Sequence, residues 1–266
     1  MEYLEINKDA WNKRTRVHVD SKFYDVEGFL NGKCSLNPIE LEQVGCVSGK
    51  ELLHLQCHFG QDTLSWARRG AKVTGVDLSS QAITQAQKLS EELNLNAEFI
   101  CDDIYHFGEV NEKKFDIVFT SYGVLCWLPD LDLWAQTIAK SLKQGGQFNL
   151  VEFHAFHDVL SGYSYFKKET PDIESEGTYT ENCSGEESTV ITWPHSLSEI
   201  INALIGAGIS IESLQEYPYS PYNCFEGLQH VDGKGYVAQH KGQQIPLVYS
   251  ITGRKGKKGL VKKEGS

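Results

Sequence analysis

The chain has 266 residues, of which 40% are hydrophobic and 23% are charged, and its formal net charge is -11. This composition is typical of a globular protein and excludes a disordered or fibrous one. There is no run of about 18 consecutive apolar residues and no basic segment followed by an apolar one at the start, so we expect neither a membrane association nor a secretion signal.

The balance of charge argues against nucleic acid as a partner. The chain has 36 acidic and 25 basic residues, and a polyanion would be repelled by such a surface. Six of the basic residues lie between positions 254 and 263. For residues 254–266 we therefore predict a basic, flexible tail that follows the folded part.

The cysteine pattern indicates the compartment. Seven cysteines, an odd number, include no C-x-x-C pair, and several lie inside apolar runs. This pattern is typical of reduced thiols and not of a disulfide framework or a zinc site. We expect a cytoplasmic protein.

Residues 1–45 precede the first predicted strand and form what we predict to be an N-terminal helical leader. They contain a helical pattern around Trp11 and an aromatic-rich stretch at 21–29. Two interpretations of these aromatic side chains stay open. They pack against the helices of the sheet, or they close over a ligand, in which case Tyr24 belongs to the pocket.

Residues 51–150 alternate between short apolar runs rich in β-forming residues and helical patterns. The predicted strands are 51–57, 72–77, 97–101, 115–120 and 147–153, and the helical patterns between them include 64–67, 82–93 and 131–142. Strict alternation implies right-handed crossovers and an open parallel sheet covered by helices on both faces. We therefore predict an α/β fold with three layers, α/β/α.

The second half of the chain departs from this alternation. Residues 155–192 are irregular and acidic with embedded aromatic residues, which predicts an inserted lid or binding loop. A further helix is predicted near 197–205, and strands at 209–215 and 245–252. Because no helix separates these last two strands, they must be antiparallel if they pair. The main domain is predicted to span 46–253.

Chemistry is expected at the carboxyl ends of the strands, where open sheets of this kind bind ligands. The first strand runs through a turn, residues 56–61, in which Gly60 allows a ligand to approach the main chain. Asp77 ends the second strand, where a carboxylate can accept hydrogen bonds from a ribose diol. Asp103 and Ile104 follow the third strand. There an acid can accept a hydrogen bond from an adenine amino group, and the Ile104 amide can donate to a ring nitrogen. An isolated aspartate is more often a turn cap, but the combined spacing favours a nucleotide-type ligand.

These segments resemble the core of class I S-adenosylmethionine-dependent methyltransferases. Four stretches are similar to the family's cofactor motifs and fourth strand: 52–60, 76–79, 102–104 and 115–122. Three strings, 54–60, 120–130 and 152–154, further resemble a largely uncharacterised bacterial subgroup. The resemblance implies a Rossmann-like sheet, mostly parallel with one antiparallel terminal strand. It also implies S-adenosylmethionine as cofactor, S-adenosylhomocysteine as product, and in-line methyl transfer to a small-molecule acceptor.

The resemblance also implies where the two substrates bind. The residues expected to contact the cofactor are Gln56, Cys57, His58, Gly60, Gln61, Asp77, Leu78, Asp103, Ile104, Ser121 and Tyr122. The residues expected in the acceptor pocket are Tyr24, Trp127 and His154. The first motif departs from the family, because His54 stands where an acid is usual and Gln56 and His58 replace the first two glycines.

Glu152 and His154 are the predicted catalytic residues. They end the fifth strand two residues apart, hence on one face, where they would orient the acceptor or accept its proton. The open alternative is a buried histidine paired with its neighbouring glutamate. His154, His157 and Asp158 lack further clustered ligands, so no metal site is predicted.

Two other functions stay open at this point. The lost glycines leave room for a non-catalytic nucleotide- or metabolite-binding relative of the fold. An NAD-dependent oxidoreductase would use the same sheet but needs a glycine-richer first turn. A monomer or a homodimer is expected.

Overall fold

The computed structural model describes residues 2–256 and contains a central sheet with helices on both faces. The helices are α1 (Glu2–Val19), α2 (Val26–Leu30), α3 (Pro38–Val44), α4 (Gln61–Arg68), α5 (Ser80–Glu92), α6 (Ile104–Val110), α7 (Leu131–Ser141), α8 (Phe156–Leu160) and α9 (Leu197–Gly206). The main-sheet strands are β1 (Glu51–Leu55), β2 (Lys72–Asp77), β3 (Ala97–Cys101), β4 (Phe115–Ser121), β5 (Leu142–Phe153), β8 (Ile209–Tyr217) and β13 (Val248–Lys255). The short strands are β6 (Asp172–Glu176), β7 (Ser188–Thr192), β9 (Gln229–Val231), β10 (Gly235–Val237), β11 (Gln239–His240) and β12 (Gln243–Gln244).

The main sheet confirms the predicted fold class. Its seven strands run in the order β3-β2-β1-β4-β5-β13-β8, and β13 is antiparallel to both of its neighbours. The antiparallel strand is the last in the chain, but it lies between β5 and β8 and not at an edge. The fifth strand begins earlier than predicted, because Leu142 already pairs with Phe115 before a register shift brings Gln147 opposite Ile117.

Two apolar layers hold the helices on the sheet. On one face Trp134 and Ile138 of α7 and Leu204 of α9 pack against the strands in one buried cluster. On the other face α4, α5 and the leader contribute Leu64, Ala86 and Phe29 to a second cluster. The periodic apolar residues seen in the sequence are therefore the residues that fill the α/β/α core.

The leader crosses the carboxyl edge of the sheet and contacts the inserted segment. The Asn7 side chain of α1 donates to the Ile191 carbonyl at 2.8 Å and accepts from the Ile191 amide at 2.9 Å. The Arg14 guanidinium bonds the Glu176 carboxylate at 2.6 Å. Residues 155–192 are therefore not wholly irregular, as they contain α8 and the antiparallel β6–β7 hairpin, which pairs with the leader.

The predicted tail needs one correction at its start. Arg254 and Lys255 belong to β13, where Arg254 bonds Glu212 and Lys255 donates to the Leu142 carbonyl at 2.9 Å. The sheet thus continues two residues past the predicted boundary, because these long side chains have partners on adjacent elements. The rest of the predicted tail, 257–266, lies outside the described residues. Within residues 2–256, no helix has the length and apolarity that crossing a bilayer requires.

We expect Asn7→Ala to loosen the leader from the hairpin. The change removes two hydrogen bonds and leaves the buried Ile191 amide and carbonyl unpaired, a cost of about 2–4 kcal/mol. Hydrogen exchange measured by mass spectrometry should become faster in α1 and β7 and stay unchanged in β1 and β4. Glu5→Ala, at an exposed position of the same helix, is the control. Equal protection of α1 in both variants would contradict this role of Asn7.

Candidate active site

A cavity of about 650 Å³ lies at the carboxyl edge of the sheet. Its floor is formed by the loops that follow β1, β2, β3 and β4. Its cover consists of α1, the leader segment 23–37, Tyr179 of the inserted segment and residues 221–225. This cavity, called the pocket below, brings together the strand ends at which the sequence predicts ligand binding.

The turn after β1 keeps the shape of a glycine-rich turn without most of its glycines. Gln56, His58 and Gly60 all adopt left-handed backbone angles, with φ of 56°, 51° and 81°. This conformation is costly for residues with a Cβ, so other contacts must hold it. Gln56 Nε2 donates to the Val124 carbonyl at 2.8 Å, and the His58 amide donates to Asp77 Oδ2 at 2.7 Å. At Gly60 a Cβ would lie 2.8 Å from the Phe99 ring, so glycine is required there.

The two strand-end acids differ in how their oxygens are used. Asp77 accepts from the His58 amide and, at 2.8 Å, from the Ser79 amide, and burial raises its pKa to about 6. Each of its oxygens retains a second lone pair for a ligand. Asp103 is the N-cap of α6, since one of its oxygens accepts from the Tyr105 amide at 2.8 Å. The capping role weighed from the sequence is thus present, and Asp103 also lines the pocket.

All eleven residues expected to contact the cofactor line this pocket, and so do Tyr24 and Trp127. Their placement agrees with the predicted site, and their binding roles stay predictions. Gln56 Oε1 is buried and, within the described part of the chain, has no hydrogen-bond partner, so it is free to accept a hydrogen bond from a ligand.

Glu152 does not have the geometry of a catalytic base. Its Oε1 accepts from the amides of Gly123 and Phe153, and its Oε2 accepts from those of Val124 and Leu125 at 2.8 and 3.1 Å. The side chain is 5% exposed and does not line the pocket. The structure contradicts the predicted catalytic role, because both carboxylate oxygens are used to fix the loop that follows β4.

His154 likewise lies outside the pocket, so neither the catalytic nor the acceptor-pocket role predicted for it fits. Its Nε2 is paired with Glu216 Oε1 at 2.8 Å, and its Nδ1 accepts from the Phe156 amide at 3.0 Å. The alternative interpretation, a buried histidine whose ring nitrogens have hydrogen-bond partners within the protein, agrees better with these contacts. The carboxylate partner is Glu216 of β8 and not Glu152. Across residues 2–256, no group of three or more His, Cys, Asp or Glu side chains has an arrangement that could hold a metal ion.

An aromatic roof, which the sequence placed only in part, covers the turn after β1. We define it as Trp11, His18, Tyr24 and Tyr179. The His18 ring stacks on Tyr24 with centroids 5.0 Å apart, and its Nδ1 lies 3.3 Å from Nε2 of His58. Burial lowers the pKa of His18 to about 3 and that of His58 well below its usual value, and the nearby Arg14 charge acts in the same direction. Both rings are therefore neutral near pH 7.

Four further aromatic residues form a second surface of the pocket, called the aromatic wall below. They are Tyr122, Phe153, Tyr222 and Phe225, with neighbouring ring centroids 5.0–5.4 Å apart. Of these, sequence reasoning found only Tyr122. Tyr222 and Phe225 come from a segment without strand or helix periodicity, so no pattern placed them.

Asp62 is another pocket residue that sequence reasoning missed. It lies in the first turn of α4, two residues after Gly60, and lines the pocket. The signal was available, because Asp62 directly follows the turn 56–61, which the sequence already places at the ligand-binding edge of the sheet.

Comparisons with known proteins agree with this geometry. A family model described as a methyltransferase domain matches residues 52–146. A ubiquinone biosynthesis O-methyltransferase from Pseudoalteromonas translucida (strain TAC 125) is 25% identical over 205 residues, which cover 74% of this chain and 84% of that protein. The protein of the same name from Proteus mirabilis (strain HI4320) is 27% identical over 198 residues, covering 71% and 79%.

Solved structures share the fold at low sequence identity. The complex of DhpI with S-adenosylhomocysteine superposes with a TM-score of 0.59 at 17% identity, covering 96% of this chain and 97% of that one. An S-adenosylmethionine-dependent methyltransferase from Clostridium acetobutylicum ATCC 824 gives a TM-score of 0.58 at 15% identity, covering 93% and 99%.

We expect Glu152→Ala to destabilise the fold strongly. Four amides lose their acceptor, and those of Val124 and Leu125 are buried, so we expect a loss of about 3 kcal/mol or more of unfolding free energy, measured by urea denaturation. His154→Ala, on the same strand, should cost less, because its partner Glu216 has a side chain that is 52% exposed and can be solvated. A Glu152→Ala protein as stable as His154→Ala would contradict the structural role.

We expect His54 to make stability depend on pH. Burial lowers its pKa to about 3, so the unfolded chain takes up a proton below pH 6.5 that the folded chain does not. The unfolding free energy of the native protein, relative to His54→Gln, should be constant above pH 6.5 and fall by about 1.4 kcal/mol per pH unit below it.

His106 provides the control for this measurement. Its pKa is raised by the hydrogen bond and charge of Asp102, so its contribution is present at acid pH and is lost as the pH rises. The unfolding free energy of the native protein relative to His106→Gln should therefore decrease as the pH rises, opposite to the change expected for His54. Parallel stability curves for the native protein and His54→Gln would refute a neutral His54.

Proposed function

We propose that this chain is a class I S-adenosylmethionine-dependent methyltransferase whose pocket transfers the cofactor's methyl group to a small, largely apolar acceptor. The observation that carries the proposal is that Asp77, Asp103 and the turn 56–60 open into one cavity together with the aromatic wall. The two acids and the turn provide hydrogen-bonding groups for a nucleoside, and the aromatic wall provides an apolar surface for the acceptor.

The residues present fit S-adenosylmethionine. Asp77 would accept from the ribose diol, and the Ile104 amide and Asp103 would meet the adenine edge. Gln56 Oε1, buried without a partner among residues 2–256, is an acceptor that a bound ligand can satisfy. These assignments make the second and third strand ends the nucleoside subsite.

When bound, S-adenosylmethionine supplies an electrophilic methyl group on a positively charged sulfur. The contribution of this chain is to align the acceptor and exclude water, since charge decreases as the methyl group moves. Trp11 and Trp127, with ring centroids 5.2 Å apart, and Tyr24 close the pocket above the turn. The Trp127 indole donates to the Gly123 carbonyl at 2.8 Å, which fixes its ring.

We propose a hydroxyl group on a ring-bearing small molecule as the acceptor, whose oxygen forms the bond to the methyl carbon as the carbon–sulfur bond breaks and whose proton is released to the solvent. The aromatic wall suits stacking with a planar ring, and the relatives named above are O-methyltransferases. The net charge of -11 makes nucleic acid an unsuitable acceptor. We also propose a cytoplasmic location, because all seven cysteines carry free thiols, which a reducing compartment preserves.

Calorimetry with S-adenosylmethionine and S-adenosylhomocysteine tests the cofactor, with NAD and NADP as controls. We expect micromolar binding of both adenosyl ligands and none of the controls. Asp77→Asn should weaken this binding about 30-fold or more, because the amide loses a charged acceptor for the ribose diol. His106→Gln, outside the pocket, should bind as the native protein does.

Two outcomes would overturn the proposal. Absence of binding of either adenosyl ligand to a folded protein would favour a non-catalytic relative of the fold. Binding without methyl transfer, followed with isotope-labelled cofactor across a panel of phenols, alcohols and the matching amines, would refute the hydroxyl acceptor. Transfer to the amines alone would refute it as well.

A further inference from the structure

Asp62 is a carboxylate in the pocket without a counter-ion. Burial raises the pKa of its carboxyl group, and hydrogen bonds with the side chains of Ser35 and Ser121 partly offset this. None of the ion pairs formed within residues 2–256 includes Asp62. A carboxylate in such a place is costly unless a cation binds beside it.

The negative charge of Asp62 reaches several groups at this end of the pocket. It raises the pKa of Glu40, which is fully buried behind the pocket and, chiefly through burial, has a pKa of about 8. It also raises the pKa of Tyr222 and of Tyr24. The pocket residue with a positive charge on this side, Lys33, is paired with Asp25 at 2.8 Å. This end of the pocket is therefore electronegative.

The end of β1 contributes no negative charge to balance a cation. His54 occupies the strand end where the family usually has an acid, and its Nδ1 is 2.8 Å from Thr63 Oγ1. Because the ring is neutral, any cation bound near the first turn must find its counter-ion elsewhere. Asp62, in the first turn of the helix that follows, is the pocket carboxylate closest in sequence to that position.

We propose that Asp62 is the counter-ion for the ammonium group of the cofactor's amino-acid part, and that it does in this chain what an acid at position 54 would do. The inference rests on the proposed function. It orients the cofactor across the pocket, with the nucleoside at Asp77 and Asp103 and the amino acid at the first turn of α4, between the leader segment 33–37 and the loop after β4.

Three adenosine thioethers distinguish a contact between Asp62 and the ammonium group from a general effect of the substitution on ligand binding. S-adenosylhomocysteine carries the amino group, its deaminated analogue 5'-S-(3-carboxypropyl)-5'-thioadenosine lacks only that group, and 5'-methylthioadenosine lacks the whole amino-acid part. Calorimetry on the native protein and on Asp62→Asn gives a double-mutant cycle between the carboxylate and the amino group. The native protein should prefer S-adenosylhomocysteine over the deaminated analogue by 10-fold or more.

Asp62→Asn should lose this preference. We expect its affinity for S-adenosylhomocysteine to fall 10- to 100-fold and its affinity for 5'-methylthioadenosine to change less than twofold, which also shows that the variant is folded. Asp25→Asn is the matched control, because it removes one negative charge from the same pocket but from an existing ion pair. It should change S-adenosylhomocysteine binding less than threefold.

Two results would overturn the assignment. If Asp62→Asn weakens the binding of all three ligands equally, or if it keeps the preference for the amino group, Asp62 is not the counter-ion of the ammonium group. A native protein that binds none of the three thioethers would instead refute the proposed function, so the two failures are distinguishable.

Discussion

The carboxylate of Asp77 joins the two loops on which the pocket depends. It accepts from the His58 amide of the turn after β1 and from the Ser79 amide at the start of α5. These bonds hold His58 in a left-handed conformation that would otherwise favour glycine. A single strand-end acid therefore fixes the main chain of the pocket before any ligand is present, and it also lines the cavity.

A second carboxylate performs a similar task after β4. Glu152 accepts from three successive amides, Gly123, Val124 and Leu125, and so determines the path of the chain that carries Trp127. Acids at the ligand edge of this sheet are thus divided between shaping loops and facing the cavity. Position on a strand end does not distinguish the two uses, since both Asp77 and Glu152 end strands.

The sequence was sufficient to predict the main sheet, its longer helices and the strand-end residues that line the pocket. Apolar runs and periodic helices specify these elements locally, and strand ends of a parallel sheet meet at one edge. It was not sufficient for Glu152 and His154, because their partners are main-chain amides of another loop and Glu216 of β8, 62 residues away from His154. Nor did it place Tyr222 or Phe225, whose positions depend on tertiary packing of an aperiodic segment.

The cover of the pocket is held mainly by contacts between the leader and the inserted segment. Asn7 pairs with β7, Arg14 with Glu176, and His18 Nε2 with the Thr178 hydroxyl. These bonds join two parts of the chain about 160–180 residues apart, so neither part covers the pocket alone. Burial lowers the pKa of His18 and of His58, so the packing that closes the pocket also keeps both rings uncharged below their ordinary pKa. Neither ring therefore supplies a positive charge that would balance Asp62.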